Sequence, residues 1–219
     1  MNKIRIKKML PAALMLALCT AAAAQDAAPV AEERREAVLQ QIAAASAGMK
    51  SLSCSFEQTR VTAMLSDKLV STGRMYYRQE GCLRWEYAPP MDYTFILNNR
   101  KALMLAKGRR LSDPKLSRFF REMSDIMVHG VSGSGLSDAQ NFDVACYESA
   151  VRWEVVLTPR KKELRKMFAS ITLTFNLKDY TADQIALAES NGDVTTIRLL
   201  EKQLNIVIDE AMFNVSINL

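Results

Sequence analysis

The chain has 219 residues, with 29 Lys and Arg against 24 Asp and Glu and a formal net charge of +5. That excess sits at the front: residues 1–24 hold Lys3, Arg5, Lys7 and Lys8 and no acid, so the remainder carries 25 basic residues (29 minus 4) against 24 acidic ones. A nearly neutral remainder of 195 residues (219 minus 24) argues against a polybasic nucleic-acid binder and fits one domain, two at most.

The basic residues precede an apolar run over 9–24 that contains Pro11 and is shorter than the roughly 20 residues a membrane span needs. This layout predicts an export signal cleaved after Ala22-Ala23-Ala24, near Ala24/Gln25, leaving 25–219 as one domain. Cys19 follows Leu18 and not a small residue, which disfavours lipid attachment there. Export places Cys54, Cys82 and Cys146 where disulfides can form. One bridge with a spare thiol, or three small buried side chains, would each fit. No C-x-x-C occurs and His129 is the only histidine, so a zinc site is not expected.

A helix is predicted over 31–49, with Val38, Leu39, Ile42 and Ala45 on one stripe. From Ser51 the period changes to two, and Leu52, Cys54 and Phe56 share one face of a strand. A second strand over 69–79 puts Leu69, Met75 and Tyr77 on one face, with Gly73 between them. After a turn at Gln79-Glu80-Gly81, a third carries Leu83, Trp85 and Tyr87 on one face and Arg84 and Glu86 on the other. Pro90 ends that strand. Strands over 93–97, with Phe95, and 102–106 follow, joined by a two-residue turn at Asn98-Asn99, since asparagine tolerates positive φ.

The period then reverts to helical over 115–129, where Leu116, Phe119, Phe120, Met123, Ile126 and Met127 form one apolar face. Three glycines in 130–135 read as a hinge. Strands are predicted over 143–147 and 151–158, then, past Pro159 and the basic run 160–166, over 169–177, 184–189 and 194–204. A short helical turn over 209–213 closes the chain. The basic run reads as a solvated tip. The fold class is mainly β with helices (α+β): an incomplete antiparallel β-barrel, a strongly curved sheet covered by an N-terminal helix and a helical lid.

Catalytic groupings are missing. Ser132 and Ser134 lie near His129 but do not form G-x-S-x-G, and no glycine-rich phosphate cradle occurs, so no enzyme and no cofactor are expected. What stands out is apolar supply: nine methionines remain once Met1, Met9 and Met15 are removed from the 12. Methionine adapts to ligands of variable shape, although such stripes are more often ordinary core. An apolar helix followed by a Gly/Ser hinge has the layout of a lid over a hydrophobic cavity.

Several segments together resemble the periplasmic lipoprotein carrier family, LolA. They are Ser53 to Gln58 (S-C-S-F-E-Q), Gly73 to Tyr77, and Leu83-Arg84-Trp85-Glu86-Tyr87 with Pro90. Val156-Leu157-Thr158-Pro159, Asn191-Gly192-Asp193, Asn205, Ile208-Asp209 and Phe213 follow in order. The family pattern is F-x-Q, G-x-L, then R-P-G-x-x-R-W-x-Y-x-x-P. The resemblance implies a monomeric periplasmic carrier whose apolar cavity shields lipoprotein acyl chains. Cargo would come from an inner-membrane ATP-driven transporter and pass to an outer-membrane receptor. Candidate acyl-chain residues are Phe56, Met75, Tyr77, Leu83, Trp85, Tyr87 and Phe95 on the sheet, with Phe119, Met123 and Met127 on the lid. The arginine that latches the lid in the family is replaced here by Gln79. Carriage or sensing of another amphiphile, such as a glycolipid or polyene, is the alternative on the same fold.

Overall fold

A computed structural model describes residues 27–64, 68–79, 81–99, 101–111, 136 and 140–216. The predicted lid helix over 115–129, the hinge over 130–135 and the export signal lie outside the described residues. The elements begin with strand β1 (Ala28–Pro29) and helix α1 (Glu32–Ala47). The first run of strands is β2 (Ser51–Val61), β3 (Lys68–Arg78), β4 (Cys82–Tyr87), β5 (Tyr93–Asn98), β6 (Lys101–Ala106) and β7 (Arg109–Arg110). The second run is β8 (Phe142–Glu148) and β9 (Arg152–Pro159), the short helix α2 (Lys162–Arg165), then β10 (Phe168–Asn176), β11 (Ala182–Glu189) and β12 (Val194–Leu204). A 3-10 turn over Glu210–Phe213 follows.

All twelve strands join one sheet in the order β1-β8-β9-β10-β11-β12-β2-β3-β4-β5-β6-β7. Every neighbouring pair is antiparallel, and the curved sheet does not close, as expected of an incomplete barrel. The two meanders meet where β12 pairs with β2, Leu199 opposite Phe56 and Val194 opposite Val61.

Strict alternation sends one set of side chains to the inner face. There Leu52, Cys54 and Phe56 of β2 meet Trp153, Val155 and Leu157 of β9, Ile171, Leu173 and Phe175 of β10, and their neighbours in a single core. Helix α1 lays Val38, Leu39 and Ile42 into this core. Glu32 and Glu33 in its first turn complement the positive end of its dipole, and Arg34 reaches Glu148 of β8 at 2.8 Å. Leu136, between β7 and β8 in sequence, is buried in the same core. Among the described residues, no helix is long and apolar enough to cross a membrane.

The opposite face has a smaller core. Cys82, Ile96, Leu103 and Leu105 are covered by the chain end, whose Phe213 is fully buried. Arg84 donates to the Met212 carbonyl at 3.0 Å, Asn98 donates to the Phe213 carbonyl at 3.0 Å, and the Arg78 guanidinium lies 5.3 Å from the centre of the Phe213 ring. Arg84 and Glu86 pair on this side, as alternation requires.

Three details differ from the sequence reading. Asn98 pairs with Lys101, so the hairpin turn falls one residue later than Asn98-Asn99, and Asn99 alone of the two takes positive φ (47°). The basic run contains a helical turn, α2. Strands β1 and β7 have two residues each, too few for any periodicity to be read.

Candidate functional site

Strand pairing assembles the sheet-borne candidates into three rows across the inner face. Phe56, Gly73 and Tyr87 form the first; Cys54, Met75, Trp85 and Phe95 the second; Leu52, Tyr77, Leu83 and Leu97 the third. The alternation that points Phe56 inward therefore aligns it with residues far apart in sequence. Phe56, Met75, Tyr77, Leu83, Trp85 and Phe95 are all buried, and Tyr87 is partly so.

The rows are locked by ring contacts. Phe56 stacks on Trp85 with centroids 4.1 Å apart and meets Tyr87 edge-on at 5.2 Å. Room for the Phe56 ring comes from Gly73, directly opposite on β3: a Cβ there would lie 2.5 Å from Phe56 Cζ and 1.9 Å from the Glu86 carbonyl oxygen. Gln58, two residues beyond Phe56 on the same face, accepts a hydrogen bond from the Tyr87 hydroxyl at 2.8 Å. Sequence reasoning did not place Gln58 or Gly73 in the site, although the i, i+2 spacing of F-x-Q signals the first.

Polar groups on this wall are few. Burial pushes the Tyr87 phenol up to about 12, against the lowering influence of Trp85 and Gln58, and burial also raises Tyr77; both are neutral at physiological pH. The Trp85 indole N–H is buried and meets no acceptor in hydrogen-bond geometry, although it is close enough to Tyr87 to favour that group's ionised form. Trp153, on the far side of the core, donates its indole N–H to Glu148 at 3.0 Å. Cys54, Cys82 and Cys146 are three separate buried thiols; burial pushes Cys54 up to about 12 and Cys146 to about 11. Among the described residues, no three His, Cys, Asp or Glu side chains are placed to hold a metal.

Gln79 lies apart from this wall. Its side-chain amide donates to the Ala47 carbonyl at 3.1 Å, at the end of α1, and its backbone N–H donates to Lys50. The lid candidates Phe119, Met123 and Met127 lie outside the described residues. The inner face also extends well past the candidate residues: Val155, Leu173, Ile185 and Ile197 of the second meander are fully or almost fully buried on it.

A comparison with curated proteins finds no match. Among solved structures, the chain is similar to one from the Pseudomonas aeruginosa MucA/MucB complex, at 14% identity and a TM-score of 0.46, covering 81% of this chain and 59% of that one. It therefore spans about three fifths of that relative's length. It is also similar to a LolA superfamily protein from Nitrosomonas europaea (7% identity, TM-score 0.46, covering 82% and 96%). A third likeness is to the Mycobacterium tuberculosis lipoprotein LppX (9%, TM-score 0.40, covering 80% and 98%). The family described as outer membrane lipoprotein carrier protein LolA matches residues 47–216, from the end of α1 through the turn that buries Phe213. With most of its length matched, including every strand of the aromatic wall, the chain belongs to the LolA family.

Proposed function

We propose that this protein is a periplasmic carrier that shields lipoprotein acyl chains against the inner face of its sheet between the inner and outer membranes. Membership of the LolA family supports a lipid- or lipoprotein-binding role without enzymatic activity. The observation that carries the reading is the extent of the apolar inner face, which runs across both meanders from Phe56, Met75 and Trp85 to Val155, Leu173 and Ile197.

The physical demand is clear. Each exposed methylene costs roughly 0.8 kcal/mol, so three acyl chains in water would cost tens of kcal/mol. A wall of Phe56, Trp85, Met75, Leu83 and Phe95, continued by a lid bearing Phe119, Met123 and Met127, would remove that cost. Polarizable methionine and flat aromatic rings suit chains of variable conformation. The Trp85 N–H would offer a donor to the ester or amide carbonyl at the head of an acyl chain. An ATP-driven transporter would load the carrier and an outer-membrane receptor would unload it. With an arginine replaced by Gln79, which is engaged with Ala47, the closed state would rest on fewer polar contacts and open more readily.

The test is the material that co-purifies with the protein, extracted and analysed by mass spectrometry. Triacylated peptide is expected. Free lipid or glycolipid instead would favour carriage of a different amphiphile, and no amphiphile at all would remove the carrier reading.

A further inference from the structure

One rim of the sheet carries two features the acyl-chain site does not use. The β2–β3 hairpin runs past the end of β4, because β3 pairs with β4 only from Gly73 onward. On this projection Val61, Met64, Leu69 and Val70 are exposed, Met64 by 95% and Leu69 by 58%. With Val194 beside them, they make up five of the nine large apolar side chains exposed among the described residues. Scattered exposed apolar residues are normal, whereas a concentration on one hairpin is not.

The basic segment predicted as a solvated tip lies on the same rim. Phe168 at the start of β10 pairs with Glu189 at the end of β11, and the β11–β12 turn abuts the hairpin. The Ser190 hydroxyl donates to the Lys166 carbonyl at 2.6 Å, and the Ala63 N–H donates to Asp193 at 3.0 Å. Arg60 bridges Glu189 and Asp193 at 2.7 and 2.8 Å. Turn, hairpin and α2 are thereby tied into one surface.

Among its described residues the charge is one-sided. Asp143 pairs with Arg160, Glu163 with Lys166, and Glu189 and Asp193 with Arg60. Lys68, Lys161, Lys162 and Arg165 are exposed and form no ion pair among the described residues. Exposed apolar side chains on the hairpin, flanked by exposed cations with no ion pair among the described residues, match the chemistry of a bilayer surface: the apolar side chains enter the acyl boundary while the cations meet lipid phosphates.

We propose that this rim docks the protein on anionic phospholipid membranes. Leu69 lies on the inward-facing register of β3, four residues beyond Gly73, so docking would set the bilayer next to the Phe56–Tyr87 end of the aromatic wall. The contact requires no bound cargo.

The test is flotation of the chain, purified as the cell processes it, with vesicles of phosphatidylcholine alone or mixed with phosphatidylglycerol. Binding to the mixed vesicles should be at least tenfold tighter and should weaken with added salt. Met64→Asp and the double substitution Lys161→Glu/Lys162→Glu should each reduce it at least tenfold. Val151→Asp, at an exposed apolar position on the opposite rim, should leave it unchanged. Absence of binding to anionic vesicles, full binding by both rim variants, or equal loss in Val151→Asp would overturn the proposal. Binding only to protein-containing envelope vesicles would also overturn it, pointing to a protein partner.

Discussion

Replacing Gly73 by alanine strikes the aromatic wall at its tightest point. The added methyl would sit 1.9 Å from the Glu86 carbonyl oxygen and 2.5 Å from the Phe56 ring, both inside any permissible contact. The Glu86 contact forces β3 away from β4, which strains ladder hydrogen bonds, and the Phe56 ring must leave its place as well. Overpacking of this kind costs about 1–3 kcal/mol. Losing the 4.1 Å stack on Trp85 adds about 0.5–1.5 kcal/mol. A total of about 2–4 kcal/mol, at about 2–4 °C per kcal/mol for a chain of this size, lowers the melting temperature by about 5–15 °C. Thermal denaturation followed by circular dichroism measures this, and the near-ultraviolet signal reports the stack. In a Phe56→Ala background the same substitution should cost less, because only the Glu86 contact remains. A Gly73→Ala protein that melts within a degree of the parent, with its near-ultraviolet spectrum intact, would refute the reasoning.

Trp85→Phe should destabilise less than Trp153→Phe, by about 1–3 kcal/mol in urea titrations, because only the Trp153 indole gives up a hydrogen bond to a carboxylate. Phe213→Ala should cost about 3–5 kcal/mol, and hydrogen exchange should show lost protection around Cys82 and Ile96 beneath it. The backbone hydrogen bond from Ala63, with Arg60 beside it, holds the Asp193 carboxyl below its usual range. Its contribution to stability is therefore complete above the ordinary carboxylate pKa and is lost as pH falls through the depressed value, and Asp193→Asn should flatten that part of the stability–pH curve. Alkylation at pH 8 should leave Cys54 and Cys146 unmodified in the folded protein, their thiols being buried and raised to about 12 and 11, and should label both in urea.

The wall was legible because each of its residues lies on a strand with strict alternation, and alternation alone decides which side chains face inward. Alternation also assigns Arg84 to the outer face, where it meets the Met212 carbonyl. Periodicity gives no information about which strands pair, so the junction of β12 with β2, which makes two meanders one sheet, was outside its reach. Gln58 and Gly73 were overlooked as site residues because their roles are relational: one takes a hydrogen bond from Tyr87, the other makes room for Phe56. The rim was missed for the same reason. Lys161 and Met64 are about a hundred residues apart, and only the pairing of β10, β11, β12 and β2 brings them to one edge.

The central claim, that the inner face shelters acyl chains, is tested most directly by photocrosslinking in cells from position 87. Tyr87 is only partly buried at the end of the aromatic wall and so tolerates a photoreactive phenylalanine analogue. Adducts with lipid-modified protein are expected from position 87 and none from position 207, where Val207 is fully exposed. Equal crosslinking from both positions, or no lipid-bearing adduct from position 87, would contradict the claim.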